Sequence, residues 1–313
     1  MFALNKAMLV GTMLAFVPTV ANMRAQAPVA PQSGSSRPSE AASASPAEMG
    51  YTIVPGVPFA KPGNAGSPQL LADIYLPKDQ GNGPFPGIVF IHGGGWRNGT
   101  RTQLRRQAQY MAARGMVGMA IDYRLAPAHP FPAAFDDAKQ AVVWLRSHAA
   151  EYHVDPTRMA AVGSSAGGHL AALLGVHSDP RRPKPYGVQA VVSFNGIFDL
   201  AAIPPGTMVS DFLGKPCTDD ISLCHKASPI DQITSAGPPF LILHGTADTT
   251  APYSQAEAFV AVLKSAHTPV ELFTAQGAPH TFWAQTKWLE PSFQAMALFL
   301  KHVFSPESYV KGG

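Results

Sequence analysis

The sequence predicts an α/β domain with a mostly parallel central sheet, helices on both faces and no large cap. Two observations carry that expectation. Short apolar runs at 70–76, 87–92, 117–122, 159–163, 190–194, 240–244 and 270–273 are rich in Val, Ile, Leu and Phe and lack strict polar alternation. Strands covered on both faces read this way. Between the runs lie stretches with helical spacing, and strands alternating with helices give a parallel sheet.

Taken in order, the chain opens with Lys6 and a charge-free run over 7–21, followed by Ala25-Gln26-Ala27. That layout is a secretory signal peptide over 1–27. Residues 28–50 follow as a linker, in which 17 of 23 positions are Ala, Pro, Ser or Gly. Such a segment buries too little apolar surface to offset its ordering entropy. Residues 51–308 form the expected folded domain. Within it, Phe135, Ala138, Val142, Leu145 and Ala149 make one helical stripe over 133–150. A second helix over 254–266 opens on a capping box of Ser254 and Glu257, with Ala256, Phe259, Val260 and Leu263 on its buried side.

Composition removes several classes of function. Hydrophobic residues make up 46% of the 313, enough to bury a large core without a metal or disulfide framework. The formal net charge of +3 excludes the electrostatic footprint of a dedicated nucleic-acid binder.

Four glycine-punctuated turns carry the chemistry. Gly163-Ser164-Ser165-Ala166-Gly167 joins an apolar strand to a helical AGGHLAALLG run. A G-x-S-x-G at that junction is a nucleophile elbow, with Ser165 held in a strained turn and its hydroxyl above the sheet edge. His92-Gly93-Gly94-Gly95-Trp96 follows the strand GIVFI. Its glycines let backbone N–H groups approach a developing oxyanion, so Gly94, Gly95 and Ala166 are the oxyanion-hole candidates. His92 holds that loop. His244-Gly245-Thr246-Ala247-Asp248 places an acid at a strand end, with His244 structural. Ala278-Pro279-His280-Thr281-Phe282 places a histidine after the last strand. His169 reads as a core hydrogen-bonder. The chain order Ser165, Asp248, His280 is the one this architecture imposes on an acyl-transfer triad.

Together these motifs resemble the α/β-hydrolases, in the branch of bacterial esterases related to hormone-sensitive lipase. HGGGW at 92–96, DYRLAP at 122–127, FPAAFDDA at 131–138, GSSAGGHLA at 163–171, HGTAD at 244–248 and PH at 279–280 occur in order. The resemblance implies Ser165 as nucleophile, His280 as base and Asp248 as its orienting acid. It also implies oxyanion contacts from Gly94, Gly95 and Ala166, and structural roles for Asp122, Tyr123 and Arg124. Ser164 stands where that branch has Asp, and HGTAD replaces a D-P-L-x-D acid loop. Only a short segment precedes His92, so the chain looks more like the capless acetyl-esterase and feruloyl-esterase relatives.

The reading that follows is an exported, secreted or periplasmic serine carboxylesterase. It acts on short-chain or bulky-alcohol esters of acetyl, aryl or feruloyl type. Its partner is a small-molecule ester on a carbohydrate or aromatic alcohol. No metal, no organic cofactor and no nucleic acid are implied, and no membrane once the leader is removed. Trp96, Phe282 and Trp283 are candidate substrate contacts, with packing under the glycine loop or in the core as the equal alternative. Cys217 and Cys224 are the only cysteines, and in an exported chain they are expected to staple the 201–230 insertion as a loop wall of the site mouth. Two rivals remain: an amidase, formamidase-like enzyme or peptidase with the same triad, and a noncatalytic binding homologue. The intact Ser, Asp, His and glycine elements argue against the second.

Overall fold

A computed structural model describes residues 50–60, 69–78, 81, 83–204 and 206–305. The expected leader, nearly all of the linker and the last residues of the expected domain lie outside them. The elements run β1 (Tyr51–Ala60), β2 (Leu70–Pro77), β3 (Phe85–Ile91), α1 (Arg105–Ala112), β4 (Val117–Ile121), α2 (Ala133–Ser147), β5 (Val154–Ser164), α3 (Ala166–Val176) and β6 (Ala190–Phe194). They continue with α4 (Thr207–Leu213), α5 (Ile221–Ala227), β7 (Phe240–Gly245), α6 (Ser254–Ser265), β8 (Val270–Ala275) and α7 (Thr286–Phe304).

The eight strands form one sheet in the order β1-β2-β4-β3-β5-β6-β7-β8. β1–β2 and β2–β4 pair antiparallel, and every pair from β4 to β8 is parallel. The helices cover both faces. Ala138, Leu145, Leu170, Leu173 and Phe259 of α2, α3 and α6 pack on one side. Met111, Met296, Phe299 and Leu300 of α1 and α7 pack on the other. α3 is buried along nearly its whole length, so its apolar composition follows from burial on every side rather than from an amphipathic stripe.

Register sets the site. Ile91 pairs with Gly163, Ser164 with Phe194, Phe194 with Leu243 and Gly245 with Ala275. The loops after these strands therefore emerge along one edge, at the carboxyl ends where open α/β sheets place their ligands.

Three expectations are corrected here. β1 was not foreseen; it is an antiparallel strand that carries Pro55, Gly56 and Pro58. β8 is not covered on both faces, since Glu271 and Leu272 are exposed. The capping box at Ser254 does not form: Tyr253 holds the cap position, and no side chain caps the helix. The helical stripes hold, with Phe135, Ala138, Val142 and Leu145 buried and Ala149 just beyond the end of α2. Among the described residues no helix is long and apolar enough to cross a membrane.

Candidate active site

Ser165 sits between β5 and α3 with φ 54° and ψ −121°. That left-handed backbone is costly for a residue with a β-carbon, and it persists only where the surroundings impose it. Two contacts impose it here. The Ser165 N–H donates to Phe194 O at 2.8 Å, and its carbonyl accepts from His169 N at 2.9 Å. The flanking glycines leave no alternative: a β-carbon on Gly163 would stand 2.1 Å from Gly167 O, and one on Gly167 2.0 Å from Ile91 O.

The turn delivers the Ser165 hydroxyl to His280. Ser165 Oγ lies 2.9 Å from His280 Nε2, and His280 Nδ1 lies 2.7 Å from Asp248 Oδ2. The three residues expected from the sequence thus form one hydrogen-bonded chain. Asp248 has a fully buried side chain and His280 is 18% exposed. Burial works to raise the Asp248 carboxyl pKa, but bonds from His244, His280 and the Ala251 N–H outweigh it and hold the acid well below the usual carboxylate range. Asp248 therefore stays anionic and fixes the proton of His280 on Nδ1, which leaves Nε2 to accept from Ser165.

The glycine loop lies against the same hydroxyl. A β-carbon built on Gly93 would stand 3.1 Å from Ser165 Cβ. The Gly93 N–H is committed to the Gln103 side chain. Gly94 and Gly95 follow with φ 112° and φ 60°. Ala166 is the first residue of α3, where an N–H has no intrahelical acceptor. His92 holds this loop, as expected. Its Nδ1 is 2.7 Å from Gly93 O, and its ring stacks on Tyr123 at 4.2 Å. Burial pushes its pKa down, against the bond to Gly93 and the charge of Asp122. Tyr123 donates to His92 O, Arg101 bridges Asp73 and Asp122, and Arg124 chelates Asp137. The DYR run is structural, and Ser164 is buried and turned toward Gln103.

Of the three candidate substrate contacts, Trp96 and Phe282 take the packing alternative. Trp96 is fully buried. It stacks on Phe212 at 4.3 Å and donates its indole N–H to His169 Nδ1 at 3.3 Å. Its backbone at φ 58° turns the ring inward, under the loop. Phe282 is also fully buried, edge-on to Trp288. Trp283 is half-buried beside the same cluster, and its Nε1 is buried without a partner among the described residues.

The 201–230 insertion is not a plain loop. It carries α4 and α5, and the Cys217–Cys224 disulfide ties the turn between them to α5. Met208 Sδ would meet a β-carbon on Gly95 at 2.9 Å, Asp211 pairs with Arg97 at 3.0 Å, and Ala227 O lies 2.7 Å from His169 Nε2. The insertion is thus docked on the glycine loop. Among the described residues no cluster of His, Cys, Asp or Glu could hold a metal ion.

The BD-FAE family model matches residues 72–263, from β2 into α6. The chain belongs to the BD-FAE family. Esterase LipC of Mycobacterium tuberculosis is 35% identical to this BD-FAE chain over 256 residues, covering 75% of the chain and 63% of LipC. The probable carboxylic ester hydrolase LipM of the same organism is 34% identical over 196 residues, covering 58% and 46%. The chain therefore spans between 46% and 63% of the length of these two relatives. Among solved structures, a truncated carbohydrate esterase from gut microbiota aligns with TM-score 0.72 and 25% identity, over 82% of this chain and 98% of that one. A thermophilic esterase from Thermogutta terrifontis, with butyrate bound, aligns with TM-score 0.68 and 32% identity, over 82% and 95%. The BD-FAE chain has the α/β-hydrolase fold.

Three features of this BD-FAE site were missed in the sequence. His244 reaches Asp248 Oδ2 at 3.3 Å. Asn195 lies against the His280 ring. Met208 overhangs Gly95. Position at a strand end is a signal for the first two, since His244 lies in β7 and Asn195 directly follows β6. Nothing in the sequence marks Met208.

Proposed function

We propose that this BD-FAE protein is a serine carboxylesterase that hydrolyses short-chain or bulky-alcohol esters, of acetyl, aryl or feruloyl type, through an acyl-enzyme. The observation that carries the reading is the continuous chain from Ser165 Oγ to His280 Nε2 and from His280 Nδ1 to Asp248 Oδ2. In this reading Ser165 Oγ attacks the ester carbonyl while its proton passes to His280 Nε2. Anionic Asp248 stabilises the imidazolium that forms. The N–H groups of Gly94, Gly95 and Ala166 receive the oxyanion. The imidazolium then protonates the leaving alcohol, and water repeats the sequence on the acyl-enzyme.

The chain's likeness to LipC, to a carbohydrate esterase and to a butyrate-bound esterase supports ester chemistry on small acyl groups. The short overhang of α4 supports a modest acyl pocket, because a long-chain lipase needs an extended apolar cover and gains about 0.8 kcal/mol per buried methylene. Export to the periplasm or medium belongs to the same proposal, and the Cys217–Cys224 disulfide supports it.

The test is kcat/KM across an acyl series from acetyl to palmitoyl on one alcohol, with a matched amide beside the acetyl ester. The expected result is a maximum at short chains and far slower amide turnover. A maximum at long chains, or an amide turned over as fast as its ester, overturns the reading.

A further inference from the structure

Asn195 follows the last residue of β6 and is 1% exposed. Its backbone is fixed from both sides. The Asn195 N–H donates to Leu243 O of β7 at 2.7 Å, and the preceding carbonyl, Phe194 O, accepts the N–H of Ser165 itself. Asn195 has φ 43°. Asn tolerates that left-handed conformation better than most residues, and its use next to reacting groups is a feature that calls for a functional reason. Gly196 adds a second constraint, since a β-carbon there would stand 2.3 Å from Ser193 Oγ.

This backbone aims the Asn195 amide at the base. Nδ2 lies 3.3 Å from His280 Nδ1 and 3.2 Å from His280 Nε2. Both ring nitrogens already have their in-plane partners, Asp248 and Ser165. An atom equidistant from the two lies along neither bond. It touches the ring off the line that joins those partners. Asn195 Oδ1 is buried with no hydrogen-bond partner among the described residues. A buried amide left half-satisfied costs free energy that a solvent-facing or apolar side chain would avoid.

We propose that Asn195 is a positioning residue for His280, whose buried amide fixes the tilt of the imidazole between Asp248 and Ser165. The ring turns about its Cβ–Cγ bond, and that rocking is opposed only at the ring edge, by two hydrogen bonds that bend before they break. The Asn195 contact removes that motion. Rocking carries Nε2 off the line of proton transfer, and small misplacements of reacting groups are costly in rate. The contact acts on turnover rather than on substrate affinity. The titratable groups facing His280 are Asp248 and, sharing its Oδ2, His244.

The inference rests on the Ser165–His280–Asp248 reading above, and the experiment keeps the two apart. Steady-state kinetics of the full chain are measured on an aryl acetate for wild type, Asn195→Gly, Asn195→Asp and Ser165→Ala. Glycine adopts the left-handed backbone without strain, so Asn195→Gly removes the side chain and leaves the turn. Its kcat is expected to fall about tenfold with KM within roughly twofold. Asn195→Asp sets a carboxylate beside the ring, which favours the protonated imidazole. The acidic limb of its kcat/KM profile is expected to move up by about one pH unit. That shift checks that the side chain at 195 lies against the ring, while the fall in kcat at near-constant KM in Asn195→Gly is what a purely structural role would not produce. A fall in kcat of less than roughly threefold in Asn195→Gly, or an acidic limb in Asn195→Asp that coincides with wild type, overturns the inference. If Asn195→Gly does not fold, the Asn195→Asp profile decides alone. An inactive Ser165→Ala beside a fully active Asn195→Gly overturns this inference only; a fully active Ser165→Ala overturns both.

Discussion

His244 Nε2 stands 3.3 Å from Asp248 Oδ2, the same oxygen that His280 Nδ1 holds at 2.7 Å. His244 Nε2 also faces Ala251 O at 2.8 Å. With two acceptors in front of it, this nitrogen carries the ring proton. The acid behind His280 is thus gripped by a second, fully buried imidazole. Asp248→Asn is expected to lower kcat by about 10⁴-fold, because the proton of His280 loses its fixed site. His244→Gln removes one of several contacts to the same carboxylate and is expected to cost about tenfold in kcat/KM. Steady-state kinetics on one activated ester check both, and equal losses in the two variants would contradict the hierarchy.

Ser165→Ala is expected to abolish ester turnover by several orders of magnitude while keeping the fold. Thermal unfolding should be little changed, since Ala has the same backbone preference at φ 54°. A related Thermogutta terrifontis esterase is known phosphorylated by paraoxon. The same reagent should add a phosphoryl mass to wild type and none to Ser165→Ala, as read by intact-mass spectrometry.

Met208→Ala is expected to widen the space over Gly95. The ratio of kcat/KM for hexanoyl over acetyl esters should rise severalfold, in line with about 0.8 kcal/mol for each methylene newly accommodated. An unchanged ratio would remove Met208 from the acyl pocket.

His169 contributes to the pH dependence of stability, beside His177, whose pKa burial and the charges of Lys184 and Lys139 also lower to about 4. For His169, burial, only partly offset by its bond to Ala227 O, lowers the pKa from 6.5 to about 4. Between these values the unfolded chain binds the proton and the folded chain does not. Stability from this group is therefore complete above pH 6.5 and lost as pH falls toward 4, by roughly 3 kcal/mol in all. Denaturant titrations from pH 7 to 4 should show the decline, and His169→Gln should make it shallower by its own share.

Arg124 holds Asp137 through paired hydrogen bonds of 2.7 to 3.0 Å, and the Asp137 side chain is 3% exposed. Arg124→Ala leaves a buried carboxylate without its cation, and the expected loss is about 3–5 kcal/mol of unfolding free energy. Chemical denaturation measures it directly.

The turns that carry Ser165, Asp248 and His280 were legible because each needs glycine or proline at fixed offsets next to an apolar strand. The acid–base order then followed from chain direction. What was not legible depended on where side chains point after a turn. Trp96 follows three glycines and looks like a rim aromatic, but φ 58° sends it inward onto Phe212 and His169. Asn195 carries no motif, because its meaning lies in a left-handed backbone that only the sheet register creates. The 201–230 segment, broken by prolines and acidic residues, folds into α4 and α5 through tertiary contacts with Trp96 and Arg97 rather than through local propensity.

β1 shows the same limit from the opposite direction. Its ladder to β2 shifts register between Val54 and Val57 and again between Pro58 and Ala60. Pro55 and Pro58 have no N–H to offer. With two N–H groups missing and two register shifts, β1 is a poor template for a further regular strand. The prolines and the bulges that disguise β1 in the sequence are what protect this border of the sheet from self-association into aggregates.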